Sequence, residues 1–411
     1  MATIQPFQCV RPKRELVSKV AALPYDVYNR KEALQEAKKD ALSFLNIDRP
    51  ETQFDETMDM YDTKVYQKAR ELFENRLADG TYIKDSDKCY YIYELIMNKR
   101  SQTGIVACAS IDDYINNVIM KHENTREEKE QDRIRHVDTM SAQTGPIFLA
   151  YRSNEVISSI VSKKKEEMPL YTFTSEDEIT HNVWKIEDAK SVTTIQEEFA
   201  GISQIYIADG HHRAASAVKV GLKRRDANPN YNGKEEFNYF LSVLFPEDQL
   251  MIMPYNRVVR DLNGLSKSEF LEAVSDVFLV EPKEEAVGPT KKCTFGMYLD
   301  QKWYLLTAKE NILNQTDPVA TLDVSILQNY LLNPILNIVD PRTDSRIDFI
   351  GGIRGLKELE KRVATDMTVA FSMYPTTIQE LFAVADAKQL MPPKSTWFEP
   401  KLRSGIFIHE I

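Results

Sequence analysis

The chain of 411 residues is poor in the residues that build special architectures. Its four cysteines, Cys9, Cys89, Cys108 and Cys293, are scattered, with no CxxC and no Cys/His zinc spacing. That excludes a zinc ribbon and predicts reduced, mostly buried thiols. Glycines number only 14. No GxxxxGK[ST] loop is present and no GxGxxG opens a helix, so both common nucleotide cradles are missing. No GxSxG elbow supports a serine hydrolase. No run approaches the ~18 apolar residues of a membrane span, and the opening "MATIQPFQCVRPKRELV" lacks the apolar core of a secretion signal. A cytoplasmic protein with no membrane partner is expected. Positive charge is short too: a net charge of −10 argues against a broad basic surface for nucleic acid, but not against a local basic pocket. Low-complexity linkers and solenoid repeats are absent.

What is present is an ordinary core composition, 43% hydrophobic, over a length that suits two or three domains. Residues 89–97 and 103–111 read as a strand pair joined by "NKRSQ", and 145–151 and 202–208 as further short strands. Hairpins are expected for 237–245 with 250–259 around "PEDQ", and for 293–299 with 302–308 around Asp-Gln. Helical periodicity fits 63–78, 125–140, 210–221, 266–276, 322–332, 354–365 and 376–388. The pattern predicts an α+β (mixed α/β) protein. A boundary is expected near 260–265, where Ser266 and Glu269 have capping-box spacing, giving domains 1–262 and 263–411. Residues 281–292 read as a polar loop.

Residues 207–213, "IADGHHR", hold two of the six histidines. The stretch reads as strand, tight turn and then an alanine-rich helix ending near Gly221. A helix N-terminus stabilises an anion through its unpaired N–H groups and dipole. Arg213 adds a fork of donors suited to phosphate, and His211 and His212 add hydrogen-bond donors. Asp209 is explained by neither, and suits a magnesium ligand or proton acceptor. Two other readings stand beside this one. Asp209 caps the helix while the histidines bond local carbonyls. Or the histidines bind a transition metal, although adjacent helical residues diverge by about 100°.

In "MKHENTREEKEQDRIRH" (120–136), His122 and Glu123 precede a helix for which Thr125 is a candidate cap. Glu123 is a candidate general base. Lys129, Arg133 and His136 follow at helical spacing and fit a solvated, salt-bridged face. In "LPYDVYNR" (23–30), Asp26 suits a helix cap. "LMPPKSTWFEPKLRSGIFIH" (390–409) is stiffened by prolines. It offers Lys394, Lys401 and Arg403 to an anion, or serves as a strap held by its aromatics.

Four stretches carry a resemblance: "PYDVYNR", "HENT" with "EEKEQDR", "YIADGHHRAAS" and "LMPPKSTWFEPKLRSG". Together they resemble a widespread bacterial and archaeal family catalogued as a domain of unknown function, from about residue 5 to 409. That family is similar to the ParB/sulfiredoxin-like superfamily. ParB-type members carry Gly-Glu-Arg-Arg at the turn, and sulfiredoxin Gly-Cys-His-Arg with a catalytic cysteine that this chain replaces by His211. Free serine kinases carry Asp-Gly-His-His-Arg, which residues 209–213 match one by one. The resemblance implies a ParB/sulfiredoxin-like catalytic domain in 1–262 and a C-terminal α+β domain whose strap returns to the site. It implies phosphoryl transfer to free L-serine, from pyrophosphate first or from ATP or ADP. Glu123, Asp209 and His212 are the implied catalytic residues. Gly210, His211, His212, Arg213, Lys394, Lys401 and Arg403 are implied to hold phosphate, and His122, Asp26 and Thr125 the substrate. Asp209 is the implied ligand of Mg2+, with no zinc, haem or flavin. Partners are then the small-molecule substrate and the phosphate donor, with no nucleic acid, and the oligomeric state is open. Two alternatives remain: a sensor that binds a phosphorylated metabolite or nucleotide without turnover, and a metal-dependent hydrolase on His122, Glu123, His211 and His212.

Overall fold

The computed structural model describes residues 1–125 and 127–411. The chain divides into two compact units, Met1–Leu250 with Pro400–Ile411, and Met251–Glu399. The division falls at 250/251, where the sequence suggested 262/263, because Tyr255–Val259 is already a strand of the second unit's sheet. Residues 400–411 rejoin the first unit.

The first unit is built on a nine-stranded mixed sheet. Its strands are β1 (Ile4–Gln5), β2 (Tyr90–Met97), β3 (Arg100–Ser110), β4 (Ile119–Met120), β5 (Ile147–Tyr151), β6 (Tyr171–Thr174), β7 (Thr180–Ile186), β8 (Ile205–Asp209) and β9 (Tyr239–Pro246). The order is β4-β8-β5-β9-β3-β2-β7-β6, with β1 on β3. The expected strand pair is there: β2 and β3 are antiparallel across Asn98 and Lys99, both at positive φ (50° and 66°), the backbone of a two-residue hairpin turn. The longer helices that accompany the sheet are α1 (Arg30–Lys39), α2 (Thr63–Ala78), α3 (Glu127–Met140), α4 (Glu155–Lys165), α5 (Ala189–Gly201) and α6 (His211–Ala227).

Alternation explains the core. Ile105, Ala107 and Ala109 of β3, Ile147 and Leu149 of β5 and Ile205 and Ile207 of β8 join Phe199 of α5 and Ala214, Ala217 and Val218 of α6. A second cluster gathers Val10, Phe44, Phe73, Tyr82, Ala142 and Ile408. Residues 400–411 are stitched in by bridges from Ala22 to Ser404 and Val10 to Ile408, and by His409 against Gln143. Helix α6 runs six residues past Gly221. A Cβ there would lie 2.5 Å from the Phe237 carbonyl oxygen, so this glycine allows close approach and does not end the helix.

The second unit is a six-stranded antiparallel sheet. Its strands are β10 (Tyr255–Val259), β11 (Phe278–Lys283), β12 (Thr294–Leu299), β13 (Lys302–Ala308), β14 (Ile347–Gly351) and β15 (Val369–Ser372), in the order β11-β13-β12-β15-β10-β14. Helix α7 (Lys267–Val277) starts on the expected capping box of Ser266 and Glu269. Helices α8 (Gly355–Thr365) and α9 (Ile378–Asp386) follow the predicted periodicity. The expected hairpin of β12 and β13 forms around Asp300 and Gln301. The one expected for 237–245 with 250–259 does not. Glu247–Gln249 makes a short 3-10 turn, and β10 pairs with β14 and β15 instead. The "polar loop" 281–292 is strand at its start, as β11 extends to Lys283. The cysteines are free, with Cys9, Cys89 and Cys108 buried and Cys293 half-buried. Among the described residues no helix is long and apolar enough to cross a membrane.

Candidate functional site

The "IADGHHR" stretch is strand β8, one glycine, and the start of α6. Against β5 the register slips: Ile207 faces Leu149 but Asp209 faces Phe148, leaving Ala208 as an extra residue. Such a bulge re-aims the side chain that follows it, here Asp209. Gly210 then takes φ +96°, a left-handed backbone that costs other residues about 1–2 kcal/mol. A Cβ at Gly210 would also lie 3.2 Å from Arg213 Nε. Gly210 is the N-cap of α6, and no side chain caps the helix. Asp209 therefore does not cap it. The first-turn N–H groups and dipole of a 17-residue helix face the turn, an arrangement suited to an anion.

Strand β4 brings the second motif to the first. It runs parallel to β8, with Ile119 beside Ile205 and Met120 beside Tyr206, so two residues on His122 reaches the level of Ala208. Its ring meets that of His211 edge to face, centroids 4.5 Å apart and planes at 88°. Both are buried. Burial pushes the His122 imidazole down to about 4, against the pull of Asp209. Burial, and then His122, hold His211 well below the ordinary histidine range. Both rings are neutral at pH 7. His122 Nδ1 and His211 Nε2 have no hydrogen-bond partner among the described residues, a costly arrangement that a ligand would relieve. Glu123 Oε2 lies 3.9 Å from His211 Nδ1, with its side chain 44% exposed.

Asp209 sits among cations. Its Oδ2 is 3.3 Å from Lys401 Nζ and 3.8 Å from Arg213 Nη2. Burial raises its carboxyl pKa, but Lys401 and then Arg213 reverse the effect and hold it below the carboxylate range. Arg213 Nη1 also donates to the Pro146 carbonyl at 2.6 Å, which fixes the guanidinium across the turn. Behind it, Gly145 leaves room: a Cβ there would be 3.2 Å from Ser404 Oγ and 3.6 Å from Arg213 Nη1. Ser216 Oγ donates to the His212 carbonyl at 2.7 Å.

The other expected site residues are more scattered. The Thr125 hydroxyl donates to Glu130 of α3, which also pairs with Lys219 of α6. Arg403 is buried and turns to Asp177, donating to its Oδ1 at 2.6 Å and to Ser175 Oγ at 3.1 Å. Ser175 Oγ in turn contacts His181, which is stacked between Phe173 and Tyr93. Burial, then Arg403, push His181 down to about 3. Lys394 belongs to the second unit, where its ammonium lies 5.5 Å over the Tyr255 ring. Asp26 is exposed on the turn after Pro24.

Arg133 and His136 differ most from the sequence reading. They are buried with Glu130 along one face of α3 and are not a solvated stripe. Arg133 pairs with Asp132 at 2.9 Å and lies 4.0 Å over the Tyr25 ring, and His136 Nε2 contacts the Ile47 carbonyl at 3.0 Å. With Asp48, Thr144 and Arg213 they line a cavity of about 30 Å³, room for one water. The i, i+3, i+6 spacing of Glu130, Arg133 and His136 was the available signal. Among the described residues no three His, Cys, Asp or Glu side chains converge as a metal cage.

A family model described as "Protein of unknown function (DUF1015)" matches residues 4–325. No curated protein matches the chain. Similar solved structures include a free serine kinase variant in complex with AMP, 13% identical over 76% of this chain and 94% of that one, with a TM-score of 0.38. Another is SbnI with a C-terminal truncation from Staphylococcus aureus, 11% identical over 72% and 82%, with a TM-score of 0.38. A third is a conserved hypothetical protein from Pyrococcus furiosus, 14% identical over 74% and 94%, with a TM-score of 0.35.

Proposed function

The chain belongs to the DUF1015 family of proteins of unknown function, and from that premise we propose that it is a small-molecule kinase that phosphorylates the hydroxyl of free L-serine. The observation that carries the reading is the convergence at one uncapped helix N-terminus. Gly210, His211, His212 and Arg213 offer donors there, Lys401 approaches Asp209, and Glu123 stands 3.9 Å from His211. Phosphoryl transfer asks mainly for positioning and charge neutralisation, and this turn is suited to both. Pyrophosphate is the first donor proposed, and ATP or ADP the second, since neither nucleotide cradle is present.

In the proposed reaction the donor phosphates rest on the α6 N-terminus. The serine Oγ forms a bond to the terminal phosphorus as the bridging P–O bond breaks. The hydroxyl proton passes to Glu123, and the leaving phosphate keeps the bridging electron pair. His211 and His122 act as neutral hydrogen-bonding groups, and Arg213 and Lys401 as fixed positive charges. A magnesium ion, when bound, supplies further neutralisation of phosphate charge. Asp209 is the residue that would hold it, through its carboxylate. A ParB/sulfiredoxin-like core for the first unit and a place in the cytoplasm belong to the same proposal.

The full chain is incubated with L-serine, Mg2+ and each donor in turn, and O-phosphoserine is followed by phosphorus NMR. Product with one donor is expected. No product with any donor overturns the kinase reading, and thermal stabilisation by a donor without turnover identifies a sensor instead.

A further inference from the structure

Beside the phosphate turn lies a second cavity, of about 190 Å³, between the Pro24–Tyr28 turn, residues 49–51 and helix α3. Tyr25 and Arg133 line both this cleft and the small cavity that Arg213 lines. The two spaces are thus separated by one layer of side chains. Its frame is held rigidly. Arg49 Nη1 donates to the carbonyls of Tyr25 at 2.9 Å and Tyr28 at 2.7 Å, while its Nε binds Glu51 at 2.6 Å. Asp132 takes the Tyr66 hydroxyl at 2.9 Å and pairs with Arg133.

The charges of Arg49, Glu51, Asp132 and Arg133 are therefore engaged by one another. Asp26 and Lys129 remain, one of each sign, both exposed at the cleft and neither with an ion-pair partner among the described residues. Tyr25 and Tyr61 line the same cleft. At about 190 Å³ it is somewhat roomier than the ~150 Å³ apolar cavity that takes up benzene. That is the scale of an amino acid. We propose that this cleft binds a free α-amino acid, with Asp26 receiving the ammonium, Lys129 the carboxylate and the Tyr25 and Tyr61 hydroxyls the polar side chain. As the acceptor site of a kinase it rests on the reading above; as an amino-acid site it does not.

Calorimetry on the full chain without donor tests it, with L-serine, serinamide, which lacks the carboxylate, and 3-hydroxypropionate, which lacks the ammonium. Wild type should bind L-serine and each analogue about tenfold more weakly, the worth of one ion pair in such a cleft. Lys129→Gln should no longer distinguish serine from serinamide, and Asp26→Asn should no longer distinguish serine from 3-hydroxypropionate. Each variant should keep the discrimination at the other end, which a merely structural defect would not preserve. Equal binding of all three ligands by wild type, unchanged discrimination in the variants, or no serine binding at millimolar concentration overturns the proposal. Serine binding with no phosphoserine from any donor would sink the kinase reading and leave the cleft standing. Phosphoserine formation with a serine dependence unchanged in both variants would do the reverse.

Discussion

Gly210 and Glu123 are the two residues on which the site reading is most exposed. Gly210 holds φ +96° within 3.2 Å of Arg213 Nε, measured to a Cβ it does not have. Gly210→Ala should lose about 1–2 kcal/mol of stability and push Arg213 off the turn. Urea unfolding and phosphate-donor affinity should both fall. A variant with wild-type stability would show that the turn relaxes without cost. Glu123 is 44% exposed, so Glu123→Gln should leave the melting temperature within error. As the proposed base its loss should lower turnover by about 10²–10⁴-fold. Full activity in that variant would remove it from the mechanism.

Among the elements, α3 combines what was legible in the sequence with what was not. Its period was readable, and so was the start of α7 at Ser266. The strand-turn-helix of β8 and α6 was readable because a short apolar run, Asp-Gly and an alanine-rich stretch each favour one local structure. The partner of β8 was not readable. Two-residue β4 is too short to leave a pattern, yet its parallel pairing places His122 beside the turn. Nor was the environment of Arg133 readable, since a charge at helical spacing reads as solvated until the tertiary partners are known. Tyr25 and Asp132 supply them. This leads to a test. Arg133→Met strands Asp132 with the Tyr66 hydroxyl as its remaining partner among the described residues, and should cost about 3–5 kcal/mol by urea unfolding. Arg133→Met with Asp132→Asn should recover part of the loss. Wild-type stability in the single variant would mean the pair is solvated after all. The hairpin expected around "PEDQ" failed for a different reason: two apolar runs across a polar turn look alike whether they pair or pass into separate sheets.

Across the whole molecule, histidine ties stability to pH. Of six histidines, His122, His136, His181 and His211 all have pKa values depressed first by burial. A group whose folded pKa lies below its unfolded value near 6.5 costs nothing above that value. As pH falls below it the unfolded chain takes up protons and the folded one does not. The loss continues down to the folded pKa, about 4 for His122 and about 3 for His181. Each such imidazole approaches about 1.4 kcal/mol per pH unit in this window. Urea midpoints should therefore drop steeply between pH 6.5 and 5, before most carboxylates titrate, and less steeply in His181→Gln. A midpoint flat across that interval would mean the rings are solvated.

Lys401 and Asp209 are 192 positions apart, and the intervening chain includes all of residues 251–399, which fold as a separate unit. During synthesis the turn emerges from the ribosome long before the lysine that meets its aspartate. A nascent chain that stops within the second unit carries the "IADGHHR" turn without its opposing ammonium, and without the Ile408 contact that closes the second core cluster. Completion of the 209–213 turn is thereby delayed until translation has passed residue 401, so an interrupted translation product displays the motif without its Lys401 partner.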